Sequence, residues 1–275
     1  MRISPLLAVL FTFCGDALQA QMINIDFSAP DDPYVFTGLA AVPDPAGEAA
    51  LWNQLPASTG GLVSFFGLVD SYGNPTPVSI QLAINGYYSD PAGQQEMGGP
   101  GAPLEGMMAD YVYLSAPTNT QVVSKTGTIG GLVSGNAYDI YFYSQGNTFS
   151  GPYSAGQNGL FNVGGEIKQS SWDGTAGGDG LLVDGVEYVK FSAVADDRGA
   201  VEFSWANVVA GPDGNVAVDL DGQSSRFAVI NGIQIVDATA AVPELSAGLL
   251  GLLGGMMLFS RRRSAGKTRD AGPGA

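Results

Sequence analysis

The side chains able to do chemistry in this chain are almost all carboxylates. The sequence holds 26 aspartates and glutamates, 11 lysines and arginines, a single cysteine, Cys14, and no histidine. Without imidazole there is no Ser-His-Asp or Cys-His relay and no imidazole ligand for a metal. What remains for catalysis is a pair of carboxylates facing each other across a cleft, as in glycoside hydrolysis, where the groups stand about 5 to 9.5 Å apart. No spacing in the sequence singles out such a pair, so no catalytic residue is assigned and the chain is expected not to be an enzyme.

Two binding chemistries stand beside catalysis. Hard cations such as calcium take carboxylate and carbonyl oxygens, and the densest acidic stretches are Asp173 through Asp179 and Asp219-Leu220-Asp221-Gly222. Neither has the ligand spacing of an EF-hand loop, and Asp and Gly at such positions also make ordinary turns. The expectation is therefore no cofactor and no metal ligand set, with calcium as the alternative. Aromatic rings offer flat faces suited to stacking on sugars. Trp172 stands between Ser170-Ser171 and Asp173-Gly174, and Tyr141 and Tyr143 alternate with Tyr138, Ile140 and Phe142. Alternation at period two puts the two tyrosines on one face of a strand. Trp172, Tyr141 and Tyr143 are thus the candidate ligand-binding residues, for an extracellular polysaccharide, whereas Trp52 and Trp205 are assigned to the core.

The elements that must position these residues are strands. The chain has 40 glycines and 16 prolines, and its apolar residues alternate instead of recurring every three or four positions. Ile23, Ile25 and Phe27 alternate with Asn24 and Asp26, predicting one half-buried strand; Ile80, Leu82 and Ile84 predict a second. Tyr138 to Tyr143 and Val201 to Trp205 follow the same rule. Phe227, Val229, Ile233 and Ile235 make a last strand, bent at Gly232. Turn chemistry falls between, at Asp70 to Asn74, Asp196 to Gly199 and Pro212 to Asn215. Leu55 to Gly60 is assigned to a loop, and Pro91 to Leu104, Gly146 to Gly159 and Ser170 to Gly180 to long loops, where a ligand would be sought. The simplest architecture is an all-β, two-sheet sandwich over residues 21–240.

The two ends differ from this middle. Arg2, the apolar run Leu6 to Phe13 and the small-residue site Leu18-Gln19-Ala20 form a secretory signal peptide over residues 1–20, cut after Ala20. Cleavage there removes Cys14, so export brings no disulfides and stability must come from burial. Residues 21–242 hold five basic and 23 acidic side chains, a net charge of −18 against −15 for the whole chain. Phosphate backbones repel such a surface, which excludes nucleic acid as a partner. At the other end, Leu245 to Ser260 contains no charge; as a helix of about 1.5 Å per residue it is shorter than a bilayer core of about 30 Å. Arg261, Arg262 and Arg263 follow and would hold the terminus on the cytoplasmic side.

This order, with Val242-Pro243-Glu244 ahead of the apolar helix and the arginines behind it, resembles the PEP-CTERM sorting tail of Gram-negative bacteria. Leu245 stands where that family has its second proline. The resemblance implies a tail over residues 241–275, a processing site marked by Pro243 and Glu244, orientation by Arg261, Arg262 and Arg263, and an exosortase-type protease as partner. An unprocessed single-span anchor is the alternative. The middle also resembles β-sandwich domains of PEP-CTERM proteins from Verrucomicrobia-like bacteria, on Ile23 to Phe27, Leu51-Trp52-Asn53, Asp110 to Tyr113, Gly131 to Tyr143 and Ile230 to Ile235. It looks like galactose-binding-like jelly rolls as well. Together these resemblances imply an exported cell-surface or extracellular-matrix protein, with a secreted carbohydrate-binding module as the alternative and a two-carboxylate glycosidase behind it.

Overall fold

The computed structural model describes residues 21–28, 36, 41–42, 50–57, 60–89, 105–108, 110–118, 120–146, 157–171, 181–208 and 226–239. All of them lie within the compact unit Ala20–Thr239. Ala20, Trp172, both acidic stretches, Pro243, Glu244, the apolar run and the three arginines lie outside the described residues. Among the described residues no helix is long and apolar enough to cross a membrane.

The described residues are nearly all β. In order come β1 (Met22–Ser28), β2 (Asn53–Pro56), β3 (Gly61–Phe66), β4 (Ser79–Ile84) and β5 (Gly86–Ser89), then a single helical turn, α1 (Glu105–Met108). After it follow β6 (Asp110–Ser115), β7 (Ser124–Gly130), β8 (Ala137–Tyr143), β9 (Leu160–Val163) and β10 (Glu166–Gln169). The last four are β11 (Tyr188–Val194), β12 (Val201–Ala206), β13 (Phe227–Ile230) and β14 (Gly232–Asp237). A five-stranded sheet runs β11-β8-β14-β1-β2, a six-stranded sheet β10-β9-β12-β7-β4-β3, and a three-stranded sheet β13-β6-β5.

The alternating residues explain how the two larger sheets meet. Ile23, Ile25, Phe27, Ile140, Phe142, Phe191, Ile233 and Ile235 from the first sheet share one buried cluster with Ile80, Leu82, Ile129, Phe161, Phe203 and Trp205 from the second. Phe142 is at its centre, stacked on Phe161 at 4.7 Å and tilted against Phe203 at 4.9 Å. Fully burying each such side chain contributes about 1.5 to 3 kcal/mol. Gly127 lies opposite Phe203 because a Cβ there would come within 2.2 Å of its ring.

Four expectations are revised. The described strands form three sheets and not two, and the last strand breaks at Asn231 and does not simply bend at Gly232. Asn231 uses every polar atom it has: its N–H donates to the Tyr143 carbonyl and its own carbonyl accepts from Phe27, both at 2.9 Å. Its side chain accepts from the Gln145 amide at 2.9 Å and donates to the Asp110 carbonyl at 3.2 Å. This buried residue sends β13 to pair with β6 and β14 to pair with β8 and β1. The strand from Ile23 to Phe27 is buried on both faces, Asn24 and Asp26 included. Finally, Leu55 and Pro56 close β2, parallel to β1, so the expected loop begins later. The turns at Asp70 and Asp196 match expectation: each aspartate accepts from the amides two and four residues on, at 2.8 to 3.0 Å.

Candidate functional site

The strand register builds a mixed aromatic and polar surface on the outer face of the five-stranded sheet. Tyr188, Tyr143, Gly232, Asp26 and Gln54 stand in one row across the strands. Lys190, Tyr141, Gln234 and Asn24 form the next row, and Ser192, Asp139, Val236 and Met22 the third. Every one of these is the odd partner of a core residue, which is why alternation places them together.

Part of this face is roofed. Phe36, Trp52, Met107, Met108 and Tyr143 form a second apolar cluster over it, and Tyr141, Tyr188 and Leu182 pack at its margin. Trp52 meets Phe36 edge-on at 4.7 Å and Tyr143 at 6.3 Å. A Cβ at Gly232 would stand 2.7 Å from the Ile25 carbonyl oxygen and 3.3 Å from the Met107 sulfur, so glycine fits here against the neighbouring strand and beneath the roof. Beneath it runs a line of hydrogen bonds. The Ala41 amide donates to the Tyr143 hydroxyl at 2.8 Å, and that hydroxyl donates to Gln234 Oε1. Gln234 Nε2 donates to Asn24 Oδ1 at 2.9 Å, and Asn24 Nδ2 donates to the Leu51 carbonyl at 3.1 Å. Burial pushes the Tyr143 phenol above its ordinary range, opposed in part by the Ala41 amide.

Tyr143 is therefore removed from the candidate ligand-binding set: its exposure is 0%. Alternation identified its face correctly, but Phe36 and α1 cover that part of the face. Tyr141 stays half-buried at the margin, 5.9 Å from Tyr188, another half-buried ring. Lys190 stands 5.4 Å from the Tyr141 ring centroid and 2.7 Å from Asp139 Oδ2. Ser192 donates to Asp139 Oδ1 at 2.6 Å. The hydrogen bond to Asp139 raises the Lys190 ammonium above its ordinary range, against the opposing effect of burial. Desolvation, then the Asp184 carboxylate, raises Tyr188.

The arrangement offers two aromatic rings with an ammonium, a carboxylate and a hydroxyl along one side. Both oxygens of Asp139 already accept bonds, Oδ2 from Lys190 and Oδ1 from Ser192. Tyr188, Lys190, Asp139 and Ser192 were not singled out by the sequence reading, although Val189 and Phe191 alternate with Tyr188, Lys190 and Ser192 as in the strands that were. Trp172, the third candidate, and the two calcium-candidate stretches lie outside the described residues, as do Pro243, Glu244 and Arg261 to Arg263. Among the described residues no group of three or more acids or thiols is placed to hold a metal ion. Trp52 and Trp205 are core, as expected.

No protein-family model matches the chain, and no curated protein matches it. Solved structures do match. The ANX2 ectodomain from Arabidopsis thaliana is 10% identical with a TM-score of 0.41, over 82% of this chain and 53% of that one. The ANXUR1 extracellular domain from Arabidopsis thaliana is 9% identical with a TM-score of 0.40, over 82% and 51%. The enzymatically active domain of bacteriophage CBA120 tailspike protein 4 is 13% identical with a TM-score of 0.27, over 64% and 19%. The chain spans about half the length of the two plant domains.

Proposed function

We propose that this is an exported, non-enzymatic protein of the cell surface or extracellular matrix, with a sandwich of the jelly-roll or galactose-binding-like kind, sorted by a PEP-CTERM-like tail and processed by an exosortase-type protease. The order along the sequence carries this reading: a secretory-type segment ending at Ala20, an acidic domain of net charge −18, then Pro243-Glu244, an uncharged run and Arg261 to Arg263. In this account the domain works outside, the arginines set orientation, and the membrane holds the chain only until the tail is cut. The intact mass of the protein recovered from its native cell surface or culture medium tests it. Loss of residues before Gln21 and after about Glu244 supports the reading; a mass that keeps the arginines removes the protease and leaves an anchored protein.

A second reading, a carbohydrate-binding module, is favoured by the Tyr141 and Tyr188 rings beside Lys190, Asp139 and Ser192. Sugar rings stack on such aromatic faces, and the polar groups would meet their hydroxyls. A glycan array comparing the wild type with Tyr141→Ala decides it: sugar-specific signal lost in the variant supports a binding module, and no signal from the wild type ends that reading.

A further inference from the structure

Among the described residues four strands close the edges of the two larger sheets, and three carry residues that block further pairing. β2 ends in Pro56, which has no amide proton for a ladder. β10 carries Lys168, ion-paired with Glu166 at 3.0 Å, and β11 carries Lys190. Charged edge residues, lysine above all, keep a second strand away. The fourth edge has no such device: β3, Gly61-Leu62-Val63-Ser64-Phe65-Phe66, has no charge and no proline. Its neighbour β4 is uncharged too, in a chain of net charge −15. Leu62 and Phe66 are each 69% exposed, and Ser64 is exposed between them. Among the described residues the ladder of β3 runs to β4 alone.

The strand is also complementary to itself. Laid antiparallel on a second β3 about a two-fold axis through Ser64, it sets Ser64 against its own copy, Leu62 against Phe66 of the second copy, and Phe66 against the second Leu62. On the inner face the same axis pairs Val63 with Phe65. Aromatic and aliphatic side chains directly opposite each other are a stabilising unit of sheets. An axis through Val63 or Phe65 would instead set Ser64 against Leu62 or Phe66. One register thus satisfies the whole strand, and the absence of charge on β3 and β4 lets two acidic copies approach along this edge without like charges in contact.

We infer that β3 is a homodimerisation edge, joining the six-stranded sheets of two copies into one sheet across Ser64. An interface built on one strand is small and belongs with transient complexes, so the dimer is concentration-dependent. Salt strengthens it by screening the repulsion between the acidic bodies, over a distance of about 10 Å at 0.1 M.

Sedimentation velocity on the full chain, in dilute non-ionic detergent so that residues 245–260 do not join chains, tests this across a hundredfold range of concentration and at low and high salt. Wild type and Ser64→Thr should dimerise, more at high salt. Ser64→Lys, which sets two ammonium groups face to face at the axis, should weaken the dimer at least tenfold with an unchanged melting temperature, because position 64 is exposed. In a Cys14→Ser background, Ser64→Cys should cross-link to its copy with a short dithiol reagent, and Val194→Cys, at an exposed site on β11, should not. A wild type that stays monomeric at every concentration overturns the inference. So does a dimer that survives Ser64→Lys, or capture of β3 by a different protein in place of its copy.

Discussion

The hydroxyl of Tyr143 donates to Oε1 of Gln234 beneath the roof of the five-stranded sheet, joining β8 to β14 by side chains as well as by backbone. Gln234 passes the connection to Asn24 on β1, so three adjacent strands are tied on their outer face. Tyr143→Phe keeps the ring and removes the link. It leaves the Ala41 amide without its acceptor, and Gln234 Oε1 keeps only the long 3.4 Å contact from Val42. A loss of about 1 to 3 kcal/mol is expected in denaturant unfolding. An unchanged midpoint would mean that water replaces the hydroxyl there.

Alkali should loosen the same region. Tyr143 is raised by burial, so the folded state keeps a proton that the unfolded state gives up near pH 10. Its contribution is complete below that pH and falls by about 1.4 kcal/mol per pH unit above it. Lys190 is raised by Asp139 and behaves the same way: its smaller contribution is complete below about pH 10.4 and lost as the pH climbs through the folded value. Melting temperature measured from pH 7 to 12 should be level to about pH 10 and then drop, with a shallower drop in Tyr143→Phe. A curve of equal steepness in that variant would place the alkaline weakness elsewhere.

Asn231 should be among the least replaceable residues. Asn231→Ala removes its side-chain partners from the Gln145 amide and the Asp110 carbonyl at once, in a place without solvent. The expected cost exceeds about 2 kcal/mol, with β13 and β14 losing hydrogen-exchange protection ahead of β4 and β7. Uniform loss of protection would show that Asn231 does not govern the division between sheets.

Gly131→Ala tests a turn where backbone geometry leaves no choice. Its φ of +73° is in the left-handed region, and a Cβ would lie 2.0 Å from the Pro77 carbonyl oxygen. Destabilisation of about 1 to 3 kcal/mol is expected. Gly135→Ala, at φ +79° with nothing within 4 Å, should cost less. The reverse order would refute the steric account.

The strands containing Ile25, Leu82, Ile140, Phe203 and Ile235 were legible because alternation reports a face directly. What alternation does not report is whether the other face meets water. Asn24 and Asp26 read as a solvent side, and Tyr143 as a ring open to sugar, because the residues that roof this face, Phe36, Met107 and Met108, belong to no periodic run. The third sheet was hidden for a related reason. One asparagine, not a glycine or proline, redirects the chain, and it does so through partners more than 80 residues away. The Tyr141 platform was half visible: its first ring lay in a recognised strand, whereas Tyr188 and Lys190 lay in one passed over.

The first and last strands lie side by side: Met22 faces Val236, and the Asp237 amide donates to the Gln21 carbonyl at 3.0 Å. Tension applied between residues 21 and 238 therefore acts on one pair at a time, peeling β1 from β14 from the ends inward. Tension applied through residue 238 against a load held on β8, where Tyr141 stands, acts along β14 and strains its ladders to β8 and β1 together. The same domain should therefore yield at lower force when stretched between its own ends than when dragged by its last strand.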